Sequence, residues 1–169
     1  MNRQRPTTPT DLPEGVLPSD RQRPDGLVVH SLTSHAVVTM DRHKWIESQR
    51  AGHDLGPAAS TDWVDRYWKG WTRSKLIEHL YGWRCWGAFD ERDYGLLGRT
   101  SVEHHVQRKL LEQIAGLLAD GGENLDVINW AIASDLPLDN ILWLLDRIDI
   151  NAKRHRLLTD HIRLFIDKG

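Results

Sequence analysis

Pro57-Ala-Ala-Ser-Thr-Asp-Trp-Val-Asp-Arg-Tyr-Trp-Lys-Gly-Trp-Thr-Arg-Ser-Lys-Leu-Ile-Glu-His-Leu80 is the stretch whose reading decides the fold. Proline suits a first helical turn, where its missing amide hydrogen would have no intrahelical partner. At helical spacing Trp63, Tyr67 and Trp71 fall within one arc of about 80°, with Val64 beside them. Leu76, Ile77 and Leu80 lie on another side, so the apolar face swings after Gly70. A kink at Gly70 or burial on two sides is therefore expected, and either marks a central helix. Glu78 projects onto the aromatic arc, where a carboxylate is out of place.

The segment from His43 to Trp86 holds six of the eight tryptophans. So much aromatic surface must be covered by a core, a partner or a ligand. Upstream, Ala51-Gly52-His53-Asp54-Leu55-Gly56 reads as a loop feeding the helix N-terminus. Before it, His43 to Gln49 reads as a short helix with Asp41 as N-cap. Val37-Val38-Thr39 reads as a short strand, able to form a hairpin with Leu27–Val29. Residues 1–26 carry five prolines and few large apolar groups, the composition of a flexible leader or of an arm laid over a partner.

Downstream, Gly82 to Gly98 reads as a connector. Thr100-Ser101-Val102-Glu103 matches a capping box, and Val102, Val106, Leu110, Ile114 and Leu117 continue a helical stripe. Asp120-Gly121-Gly122 stops it. Two further helices are expected over Glu123–Ser134 and Pro137–Ile148, and a last one over Asn151–Lys168. The expected architecture is an all-α bundle of four to five helices with an extended Pro-rich N-terminal arm and at most a small β-hairpin. The arm is residues 1–26. A single domain, 27–169, contains the aromatic-rich segment 43–86 and a helical C-terminal half, 100–168.

With 169 residues the chain can bury a core without disulfide or metal staples. Its 22 basic and 24 acidic side chains give a net charge of −2, and no segment has the basic excess that nucleic-acid binding requires. One cysteine, Cys85, excludes an internal disulfide and reads as a packed thiol in a reducing compartment. No apolar run reaches the ~18 residues of a membrane span. With no signal-peptide pattern, a cytoplasmic location is expected.

No catalytic grouping emerges. Di-iron chemistry in a bundle needs Glu-x-x-His spacing, which is absent, and Glu103 is assigned to the capping box. With one cysteine and no histidine pair read as lying close to a further ligand group, neither a metal nor a cofactor is expected. There is no Gly-x-Ser-x-Gly elbow. The Pro137–Ile148 helix offers Leu138, Ile141, Leu142, Trp143 and Leu145 where a DNA-reading helix would offer Arg, Asn or Gln. Lys153-Arg154-His155-Arg156 opens the last helix unfavourably for its dipole, as a solvated turn or an acidic-partner contact.

Two functional readings follow. In the first, the chain is a non-catalytic accessory subunit that docks on a larger protein or multi-subunit assembly. Trp45, Trp68, Trp83 and Trp86, interleaved with Arg66, Arg73 and Arg84, would form the contact with the N-terminal arm, since Trp and Arg dominate binding hot spots. In the second, Arg50, His53, Asp54 and Glu78 converge on a small ligand or cofactor, as a binding protein or enzyme would require. Neither reading involves nucleic acid or a membrane span, and homo-oligomerisation is open in both.

Overall fold

A computed structural model describes residues 15–103 and 107–148. The expected helix over Asn151–Lys168, with its basic first turn, lies outside them, as do residues 1–14 of the expected arm. Among the described residues are six α-helices and a small three-stranded sheet. The chain is thus mostly helical, with one strand more than a hairpin.

Residues 15–26 of the expected arm are built into the fold. Strand β1 (Arg21–Gln22) pairs antiparallel with β2 (Val28–His30). Between them, the Arg23 amide donates to the Leu27 carbonyl at 2.8 Å and Gly26 adopts φ 85°. The other neighbour of β2 is β3 (Cys85–Trp86), which runs parallel to it. Segments more than fifty residues apart are thereby joined at the start of the first helix.

Helix α1 runs from Leu32 to Ala51. It replaces both the strand expected at Val37-Val38-Thr39 and the short helix expected from His43. The Ser31 hydroxyl caps it, accepting the Ser34 amide at 3.3 Å, so Asp41 is an exposed mid-helix residue and not a cap. Leu32, Ala36 and Met40 are buried at four-residue intervals, and that tertiary stripe overrides the β preference of two adjacent valines. Gly52, at φ 75°, ends the helix in the left-handed region.

Helix α2 (Pro57–Tyr81) runs unbroken through Gly70. The swing in its apolar face therefore reflects burial on two sides. Its first half packs Trp63, Val64 and Trp68 against Ala36 and Met40 of α1, with Trp71 at the edge. Tyr67 does not join them: it is 47% exposed and packs edge-on against the His43 ring. The second half sends Leu76, Ile77 and Leu80 into a separate aliphatic core.

That aliphatic core is completed by α3 (Leu96–Glu103), α4 (Arg108–Ala119), α5 (Asn124–Ala133) and α6 (Leu138–Ile148). The expected capping box at Thr100 does not form. Leu96 and Leu97 are drawn into the core, α3 starts there, and Thr100 is a buried residue inside it. The next helix starts only at Arg108, after Gln107. A reciprocal capping box does occur at α5, where Glu123 and Asp126 each accept the other's backbone amide.

The connector between α2 and α3 is ordered around His79. Gly82 and Gly95 approach so closely that a Cβ on Gly82 would meet the Gly95 Cα at 3.1 Å. The amides of both glycines donate to the His79 carbonyl.

Candidate functional site

The 52–56 loop makes one wall of an open cleft of about 560 Å³, and α1 makes the other. Asp41, Lys44, Trp45 and Ser48 line it from the helix, and His53 and Asp54 from the loop. The loop is stapled at two points: the Leu55 amide donates to Ser48 Oγ at 3.1 Å, and the Gly56 amide to Asp54 Oδ1 at 2.9 Å. That amide, with the Lys44 ammonium 3.8 Å away, holds the Asp54 carboxyl below its ordinary pKa. The Trp45 indole is 43% exposed in this cleft.

Of the four residues expected to converge on a ligand, only His53 and Asp54 line the cleft. Arg50 projects outward and pairs with Glu47 at 2.6 Å. Glu78 lies in the last turn of α2 and is engaged elsewhere. Its Oε1 accepts from Lys75 at 2.7 Å and its Oε2 from the Trp86 indole nitrogen at 3.0 Å. The Lys75 ammonium also lies 5.6 Å from the Trp71 ring centroid and 5.4 Å from that of Trp86. The misplaced carboxylate of the sequence is thus the polar anchor of a buried tryptophan.

The residues expected to form one partner surface divide in the same way. Trp68 and Trp86 are interior, with Trp68 stacked on Trp71 at 5.6 Å and Trp86 fully buried. Arg73 is buried and donates to the Gly122 carbonyl at 3.1 Å, tying α2 to the α4–α5 turn. Trp45, Trp83 and Arg66 are exposed, Arg66 in an ion pair with Asp62, and Arg84 is half-buried. Trp83 follows the far end of the 25-residue α2, and at 1.5 Å per residue that helix separates it from the α1–α2 turn by roughly 35 Å. Helical spacing identified Trp63 and Trp71 as inward-facing. Which of Tyr67 and Trp68 accompanies them depends on where α1 lies.

A second constellation was not anticipated. Asp20 precedes β1, His30 ends β2 and His35 sits in the first turn of α1. The Asp20 carboxylate is wholly buried. Its Oδ1 accepts the Ser31 amide at 2.7 Å. Its Oδ2 accepts the Leu17 amide at 2.8 Å, His30 Nδ1 at 2.9 Å and His35 Nε2 at 3.0 Å. Burial alone would raise the Asp20 pKa, but the donors, His35 foremost, outweigh it and hold the carboxyl far below its ordinary range. Both imidazoles lean on Trp86, with centroids 5.3 and 5.1 Å from its ring. The ligand-type atoms of the three residues lie within 4.8 Å of one another. The signal was the His30-x₄-His35 spacing, overlooked because its carboxylate partner lay in a segment read as an extended or flexible arm.

Two other groups are structural. The imidazole of His79, fully buried between Phe89 and Tyr94, accepts the Trp86 amide on Nδ1 at 3.0 Å and donates from Nε2 to the Asp90 carbonyl at 2.9 Å. Accepting an N–H requires an unprotonated Nδ1, so the neutral tautomer is fixed by its partners. Burial pushes the Cys85 thiol up in pKa, against the pull of Arg23 and Arg21, which leaves it a poor nucleophile. Among the described residues no helix is long and apolar enough to cross a membrane.

Comparison with known proteins returns no matching family model, no matching curated protein and no matching solved structure.

Proposed function

We propose that this chain is a non-catalytic docking module that receives a segment of a larger protein in the cleft beside Trp45. The observation that carries the reading is the half-exposed Trp45 indole in an open cleft with fixed charges of both signs around it. Aromatic side chains with a dry face and a wet edge are favoured anchors for partner contacts. Asp41 and Lys44 on the helix wall and Asp54 on the loop wall give the cleft a polar rim able to fix the register of a peptide. The cleft is held by one hydrogen bond from the 52–56 loop to Ser48 of α1 and one within the loop, so little ordering would be needed on binding.

A small-ligand reading draws on the same cleft, whose volume lies in the range of about 300–1,000 Å³ usual for such pockets. His53 and Asp54 would supply its polar contacts. Glu78 and Arg50 have no part in either reading, since neither lines the cleft.

Native mass analysis of the protein purified from its own host separates the two. The docking reading expects a larger protein in fixed ratio, lost in Trp45→Ala and retained in Trp83→Ala. A 19.5 kDa chain carrying a small molecule would move the assignment to ligand binding. A bare chain, or a complex indifferent to Trp45→Ala, would refute docking through this cleft.

A further inference from the structure

We propose that Asp20, His30 and His35 form a binding site for one divalent transition-metal ion of the zinc and cobalt class. Lone-pair counting carries the inference. An ionised carboxylate oxygen offers about two acceptor positions. Asp20 Oδ2 has three nitrogens at 2.8 to 3.0 Å, while Oδ1 has one. As a purely hydrogen-bonded node the arrangement is lopsided and oversupplied by one donor. With a metal ion accepting His30 Nδ1, His35 Nε2 and Asp20 Oδ2, that oxygen needs only the ion and the Leu17 amide, and the count closes.

Geometry and chemistry agree with this. The two nitrogen–oxygen edges are 2.9 and 3.0 Å, and tetrahedral ligands with bonds of ~2.1 Å are separated by roughly 3.4 Å, so the side chains would part by a few tenths of an ångström to admit the ion. Two imidazoles and one carboxylate on adjacent corners are the donor set of a three-protein-ligand site with further positions open to water. Nitrogen donors disfavour calcium and magnesium, which take oxygen.

The ligands are held as a metal site needs. The Leu17 and Ser31 amides fix the carboxylate, and Trp86 packs against both rings. Binding needs each imidazole to carry its proton on the outer nitrogen, Nε2 of His30 and Nδ1 of His35. The bound ion would tie residues 17–20 to β2 and α1, acting as a clamp independent of the Trp45 cleft.

The test uses the full chain, stripped with a chelator and titrated with zinc chloride by calorimetry. His35→Gln keeps an N–H able to donate to Asp20 while losing the imidazole ligand, and His43→Gln, outside both the cluster and the cleft, serves as the control. Expected are one zinc per chain in the wild type and control, and binding weakened at least about tenfold in His35→Gln. Zinc should also raise the wild-type melting temperature, as any ligand selective for the native state does, and fail to raise that of His35→Gln. Should the variant not fold, imidazole ¹⁵N shifts of the wild type decide the matter. Zinc-dependent shifts confined to His30 and His35 support the site, and shifts confined to other histidines overturn it. Absence of stoichiometric binding, or binding unchanged in a folded His35→Gln, also overturns it.

Discussion

The two halves of α2 are gripped by different physics. Its first half lies in an aromatic lobe with α1 and the sheet, where Trp63, Trp68, Trp71 and Trp86 touch in a chain of rings 5.6 to 6.4 Å apart. Polar staples between distant segments close that lobe: Asp20 to His30 and His35, Trp86 to Glu78, and Arg23 to Glu91 across the sheet turn. The second half lies in an aliphatic lobe where Leu, Ile, Val and Ala of five helices meet, with the Arg73 bond to the Gly122 carbonyl as a polar tie beside them. The aromatic lobe depends on particular hydrogen bonds being made, and the aliphatic lobe on volume being filled.

Substitutions can break or sharpen that contrast. The largest effect is expected from Trp86→Ala, which empties a fully buried site and leaves Glu78 without its indole donor. A loss of about 4–5 kcal/mol is expected, close to the whole stability of a small domain, so urea melts should show little folded protein. A variant retaining near-native stability would show that the ring chain is not what holds the lobe.

Next comes Asp20→Ala, which leaves two histidines and two amides facing a void. About 3–4 kcal/mol should be lost at neutral pH. The effect should shrink with acid in a defined direction. The folded pKa of Asp20 lies below the ordinary carboxyl value of 3.8, so its contribution is complete above that value and is lost as pH falls below about 4. Wild-type and variant stabilities should therefore keep a constant gap from pH 7 to about pH 5, begin to approach each other below about pH 4, and go on converging at pH values below 3. A gap that did not close in acid would contradict the assignment.

The smallest effect belongs to the aliphatic lobe. Ile114→Val removes one methyl group from a fully buried site and should cost about 1 kcal/mol. That cost should be equal at pH 7 and pH 4, since no titratable partner is involved. A pH-dependent cost would blur the distinction between the lobes.

The same contrast explains which parts were legible in the sequence. Aliphatic helices announce themselves by spacing: α5 and α6 fall within the expected Glu123–Ser134 and Pro137–Ile148, and Asp120-Gly121-Gly122 closes α4 as expected. Pro57 likewise marks the start of α2. What escaped was decided by contacts between remote segments. Val37-Val38-Thr39 became helical because Ala36 and Met40 meet Trp63 and Trp68. Thr100 looked like a cap until Leu96 and Leu97 found the aliphatic core. Of the site residues, His53, Asp54 and Trp45 were singled out and do share a cleft. The burial of Trp68, Trp86 and Arg73 was not readable, because only the fold supplies their partners.

Hydrogen-exchange mass spectrometry of Asp20→Asn against the wild type at neutral pH tests the two-lobe account most directly. The account predicts faster exchange in residues 15–36 and 84–88, where the carboxylate ties the sheet to α1, with protection unchanged across 108–148. An equal loss of protection in both regions would contradict it, because the two lobes would then be one cooperative core held by a single kind of interaction.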